Sequence, residues 1–219
     1  MKRLFIIIFT CLALAAACNT AQKAPRSGDL LFVAIPADYT LSDDDMGSGI
    51  AAATGDSDGL NYIHVAILEV DPDTTWVIDA TIRHGVARYP LETFLSDFTL
   101  KDGSLPRLEV MRIKNGARDL VKNAKTFIGE KYDVYFLPDN GVHYCTELVR
   151  DSYLDSDGNP VFENAPMNFK DVNGEFPVYW QQLFGLLGEP IPQGVEGTNP
   201  RDMRRSPLLE YVMDLQVDK

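Results

Sequence analysis

Beyond residue 18 the chain carries a single cysteine, Cys145, so no disulfide within it can staple the fold. Stability must then come from a hydrophobic core. At 219 residues there is room for one such core and little room for two. The 45% hydrophobic and 24% charged content suits an ordinary globular domain. An exported protein that keeps one unpaired thiol is unusual, because oxidising compartments favour pairing. Such a thiol is either buried and inert or chemically employed.

Export is indicated by the first residues. Lys2 and Arg3 make a positive start, residues 4–14 are apolar, and Ala15, Ala16 and Ala17 lead into Cys18. The apolar stretch is too short and wrongly flanked for an ordinary spanning helix. A small-residue run ending in cysteine resembles a bacterial lipobox, with Ala15 where a larger aliphatic residue is usual. The expectation is a signal peptide over 1–17, lipid on Cys18, a polar tether through residue 27 and one domain over 28–219. The protein would then be held in the bacterial cell envelope by a lipid anchor. A plain secretory signal cut nearby is the alternative.

Charge excludes one class of partner. The net charge is -12, and loss of Lys2 and Arg3 on cleavage would take it to -14. Without a basic stripe, such a chain has no electrostatic reason to bind nucleic acid. The acidic run Asp43, Asp44 and Asp45 reads as solvated loop. The run Asp155-Ser156-Asp157-Gly158 lacks the further ligands and terminal glutamate of a calcium loop and reads as a turn. No metal and no cofactor is expected.

Several elements are legible. Residues 29–34 form an apolar strand-type run ended by Pro36, and residues 62–70 are the clearest strand. A turn over 71–74 leads to a strand over 75–80, and 108–113 reads as another. Leu120, Ala124, Phe127 and Ile128 fall at helical spacing before Gly129. Cys145, Leu148, Val149, Ser152 and Tyr153 do the same, which sets Cys145 at the head of a short helix. Residues 38–61 show no period and read as a long loop walling a cleft. The stretch from 176 onward is expected to wrap the core. The fold class is α+β, with a small antiparallel sheet packed against helices.

Chemistry follows from that placement. A helix N-terminus favours the thiolate, and its amides can hold an oxyanion. A nucleophilic cysteine also needs an imidazole oriented by a third polar group. Of the three histidines, His84 sits in a loop-like Arg-His-Gly, and His143 is a near neighbour of Cys145 in sequence. His64 instead interrupts an apolar strand, Tyr-Ile-His-Val-Ala-Ile-Leu, and is the candidate base. Alternation puts His64, Ala66 and Leu68 on one face and Glu69 on the other. A hairpin with a two-residue loop sets Asp79 opposite His64; a four-residue loop sets it opposite Ala66, one diagonal step away. Asp79 is therefore the candidate orienting group.

These residues lie in segments that resemble a known family. His64-Val65-Ala66-Ile67, Val77-Ile78-Asp79-Ala80, Gly129-Glu130-Lys131-Tyr132-Asp133 and Tyr144-Cys145-Thr146-Glu147-Leu148-Val149 resemble the YiiX-type permuted papain-like amidases. These are relatives of the NlpC cell-wall peptidases and, more distantly, of lecithin:retinol acyltransferase. The opening Gly28-Asp29-Leu30-Leu31-Phe32 is similar to the group's first strand. The resemblance implies a circular permutation that puts the histidine before the cysteine. It also implies Cys145 as nucleophile, His64 as base and Asp79 as third member, where relatives often carry Glu or His. Tyr132 and Asp133 match a recurring pair, and Tyr132 and Tyr144 are expected beside the cleft.

The expected activity is hydrolysis of an amide, either a cell-wall peptide or an N-acyl amide. A thioesterase or acyltransferase acting on lipids at the same site is the first alternative. The second is a non-catalytic binding lipoprotein with Cys145 as packing. Oligomeric state is not legible.

Overall fold

Leu30 through Ile35 are each at most 1% exposed, so this run is covered on both faces and must be central. In the computed structural model, which describes residues 24–216 except 44, 56–58 and 115–118, it is β1 (Leu30–Pro36). The expected signal peptide, Cys18 and most of the tether lie outside the described residues. The other strands of the main sheet are β2 (Leu60–Val70), β3 (Thr75–Thr81), β4 (Gly85–Pro90), β5 (Arg107–Ile113) and β8 (Leu209–Asp214). They run in the order β4-β3-β2-β1-β5-β8, every neighbour antiparallel. Two short strands, β6 (Ala165–Pro166) and β7 (Glu196–Gly197), pair separately.

Alternation along β1 splits the core. Leu30 and Phe32 join Val65, Ile67 and Ile78 on one face, under the helices α3 (Leu120–Thr126) and α4 (Cys145–Ser152). Leu31 and Val33 join Ala66, Leu68 and Val77 on the other, with Phe94 of α2 (Leu91–Asp97) packed against them. A third, aromatic cluster gathers Phe136, Tyr144, Phe169, Trp180 and Phe184 where α5 (Val178–Leu187) meets α1 (Met46–Thr54). The short α6 (Pro200–Arg204) leads into β8.

Two stretches depart from the sequence expectation, and a third, residues 85–97, holds elements for which the sequence offered no reading. Residues 38–61 are not one loop, because α1 and the start of β2 lie within them. Asp45 caps α1 by accepting from the Gly47 N–H at 2.8 Å. The buried positions of α1 are Gly47, Gly49 and Thr54, and only Met46 and Ile50 bring apolar side chains against the aromatic cluster, so its apolar pattern is weak. Gly49 is required there: a Cβ would lie 2.9 Å from the Trp180 ring, whose Nε1 donates to the Gly49 carbonyl at 3.1 Å. Residues 85–97 hold β4 and α2, opened by Gly85 at φ 63, where a Cβ would sit 2.2 Å from the Glu130 carbonyl oxygen. From residue 176 the chain does more than wrap, since it supplies α5, α6 and the edge strand β8.

Candidate active site

The β2–β3 hairpin pairs Ile67 with Ile78, Leu68 with Val77 and Val70 with Thr75. Residues 71–74 are thus a four-residue loop, the second of the two geometries considered from sequence. One step further this register brings Asp79 beside Ala66, diagonal to His64. The gap is closed by a hydrogen bond of 2.7 Å between His64 Nε2 and Asp79 Oδ1. A register shift helps: Val33 pairs with His64 but Ala34 with Tyr62, which leaves Ile63 as an extra residue. Bulges of this kind re-aim side chains at strand ends. Glu69, on the opposite face, pairs instead with Arg88 and Lys125.

Asp79 is fully buried and satisfied on both oxygens. Its Oδ2 accepts from the Tyr89 hydroxyl at 2.7 Å. Tyr89 was not singled out from sequence. The signal that could have found it is parity, because Tyr89 pairs with Val77 and Ala87 with Asp79, which sets all four on one face. The imidazole is walled by Phe94 and Phe98, with ring centroids 6.1 and 4.8 Å away. Burial alone would drive His64 toward the neutral form. The Asp79 carboxylate and the Cys145 sulfur outweigh it and push the pKa up to about 10. Cys145 acts on the ring both through its charge and through a side-chain hydrogen bond. Since Nε2 is engaged by Asp79, the nitrogen left for the sulfur is Nδ1.

Cys145 is the first residue of α4 and is 3% exposed. Tyr144 takes the capping position in extended conformation without a side-chain cap. Glu147, in the first turn, accepts from the Tyr144 backbone N–H, the reverse half of a capping box. The amides at the head of α4 have no carbonyl of their own helix to bond. They converge beside the sulfur, where an oxyanion would need donors.

Two cavities flank this meeting point. One, of about 430 Å³, is lined by His64, Phe98, Met46 and Ile63 among others. The second, of about 40 Å³, is lined by Cys145, Tyr144, Met167 and Trp180 among others. Ile50 and Tyr132 border both. Tyr132 thus lies beside the sulfur, and burial with the adjacent Cys145 charge holds its hydroxyl well above the usual tyrosine range. Tyr144 lines the smaller cavity and accepts from the Thr198 N–H at 2.9 Å, turned toward the aromatic cluster. Asp133 is buried and accepts from the Tyr135 and Leu137 amides at 2.8 and 2.9 Å, a structural task.

The other two histidines stand apart. His84 bonds Asp97 at 2.8 Å in the turn between β3 and β4. His143 Nδ1 bonds Glu130 at 2.6 Å, and its Nε2 lies 3.3 Å from Asp151. The run 155–158 is the turn expected, with Asp155 Oδ1 accepting from the Asp157 and Asn159 amides. Among the described residues no group of three or more His, Cys, Asp or Glu side chains could hold a metal ion.

A histidine-bearing strand that precedes a thiol-bearing helix in the chain, both set on an antiparallel sheet, defines a papain-like enzyme with permuted chain order. Comparison with known proteins makes the class specific. The chain belongs to the family described as "Permuted papain-like amidase enzyme, YaeF/YiiX, C92 family", whose model matches residues 24–213. It is a cysteine enzyme of the amidase and peptidase class, a hydrolase of amide bonds. Its fold is similar to the crystal structure of the metalloprotein yiiX from Escherichia coli O157:H7, with a TM-score of 0.65 and 23% identity. That match covers 87% of this chain and 98% of the other. No curated protein sequence matches significantly. Among the described residues the side chains present do not assemble a metal site.

Proposed function

We propose that this chain is a lipid-anchored envelope amidase in which Cys145 is the nucleophile, His64 its acid and base, and Asp79 the group that orients His64. The observation that carries this reading is the position of one buried imidazole between a carboxylate at 2.7 Å and the thiol at a helix head. In the first half-reaction the sulfur bonds to the amide carbonyl carbon while the amides at the head of α4 hold the oxyanion. The imidazolium gives its proton to the nitrogen, the C–N bond breaks and the amine departs. In the second half, water gives a proton to His64 and attacks the thioester. The acid leaves and the sulfur is restored. Asp79 fixes the ring throughout, as the orienting carboxylate of a triad does.

Lipidation of Cys18 and residence at the envelope membrane belong to the same proposal. They rest on the sequence of residues 1–18 alone. Among the described residues no helix is long and apolar enough to cross a membrane.

The test is alkylation of Cys145 by iodoacetamide across pH, read by mass spectrometry on wild type, His64→Ala and Asp79→Asn. The expected result is faster alkylation at neutral pH in wild type than in His64→Ala, with Asp79→Asn between. One profile shared by all three, like that of a free cysteine, would sink the assignment.

A further inference from the structure

The two cavities differ in size and in which reacting group each borders, and the mechanism makes that difference meaningful. In the tetrahedral adduct the carbonyl carbon carries sulfur, oxyanion, acyl substituent and nitrogen. The oxyanion must face the amides of α4, and the nitrogen must face the proton donor, His64. The substituent on nitrogen therefore extends past the imidazole, and the acyl substituent stays beside the thiol helix. The cavity of about 430 Å³ borders His64 and not Cys145; the cavity of about 40 Å³ borders Cys145 and not His64. Ile50 and Tyr132 form the divide between them.

Resting on the amidase reading above, we propose that the large cavity binds the leaving amine. The substrates are then amides that join a small acyl group to a long alkyl or aryl amine. A lining dominated by Leu41, Met46, Ile63, Phe98 and Leu100 gives the ligand its chemistry, since such surface gains by covering apolar groups. Three of the charged side chains at this cavity have local tasks: Asp45 caps α1, and Arg83 and Asp97 pair with each other. The space beside the sulfur, around Met167, Phe169 and Trp180, is about 40 Å³ against about 430 Å³ beside the imidazole, and Thr198 and Asn199 stand between it and a further cavity of about 410 Å³, so a long acyl group has no direct room at the thiol.

The experiment compares two series of amides with the full-length enzyme. In one, acetyl is fixed and the amine grows from methylamine to octylamine. In the other, methylamine is fixed and the acyl chain grows from acetyl to octanoyl. The expected result is a rise in kcat/KM of roughly fourfold per added methylene in the amine series until the cavity is filled. The acyl series should fall beyond a few carbons. Leu100→Trp, which narrows the large cavity, should erase the amine-length preference. A rise confined to the acyl series, or no length dependence in either, overturns the cavity assignment while the amidase reading stands. Failure to cut any amide, with Cys145 alkylating no faster than in His64→Ala, overturns both.

Discussion

Two histidines near α4 bond carboxylates, and their surroundings differ. His143 has both ring nitrogens committed, Nδ1 to Glu130 at 2.6 Å and Nε2 toward Asp151 at 3.3 Å. His64 has one nitrogen committed, to Asp79 at 2.7 Å, and presents the other to the thiol beside a cavity of about 430 Å³. Both imidazoles are held above the ordinary histidine pKa against the opposing effect of burial. A raised pKa therefore does not tell the two apart. The difference is a second nitrogen turned to a thiol rather than to another carboxylate, with an open cavity beside it.

Substitutions at the reacting groups test this contrast most severely. Cys145→Ser and His64→Ala are each expected to lower kcat/KM for amide hydrolysis by about 10⁴-fold or more. His143→Ala should stay within roughly tenfold, losing instead about 1–3 kcal/mol of stability to denaturant as Glu130 and Asp151 lose their partner. A deep loss of activity in His143→Ala at unchanged stability would break the comparison.

The layer behind His64 sharpens it. Asp79→Asn is expected to lower kcat by about 10²- to 10⁴-fold with little change in KM. Tyr89→Phe removes only the bond at 2.7 Å to Asp79 Oδ2 and should cost about tenfold or less. Equal losses in the two variants would mean that Tyr89 does more than position the carboxylate.

The smaller effects concern stability and pH. Glu147 is 4% exposed, its Oε2 has no partner, and burial pushes its pKa up to about 8. The folded protein thus keeps this proton from about 4.5 to about 8 while the unfolded chain has released it, so stability falls as pH rises through that window. Glu147→Gln keeps an acceptor for the Tyr144 amide and should gain about 1–3 kcal/mol at pH 9 and nothing at pH 4, measured by urea unfolding. For His64 the folded pKa of about 10 lies above the unfolded 6.5. Its contribution is complete below 6.5 and is lost as pH rises through 10. His64→Ala should flatten the stability profile across that window, an effect on the order of several kcal/mol, and leave the lower window to Glu147.

Much of this was legible in the chain because local patterns carried it. Residues 62–70 and 75–80 read as strands, the turn between them fixed parity, and parity excluded Glu69 and selected Asp79 as the acid near His64. The helix behind Cys145 showed its apolar spacing and formed as Cys145–Ser152. Other parts had no local signal. The most buried positions of α1 are two glycines and a threonine, so hydrophobic periodicity passed over it. Strand β4 is six residues long, with Arg88 facing Glu69 and Pro90 at its end, so alternation was masked and Tyr89 stayed hidden behind Asp79.

The sequence by itself determined which side chains could do chemistry and which strand face each would occupy, because alternation and helical spacing act between near neighbours. The tertiary structure decided that a thiol 81 positions from its imidazole meets it, that Ile63 bulges beside that imidazole, and that a cavity of about 430 Å³ opens next to it. Those outcomes depend on packing between segments far apart in the chain, which no local pattern encodes.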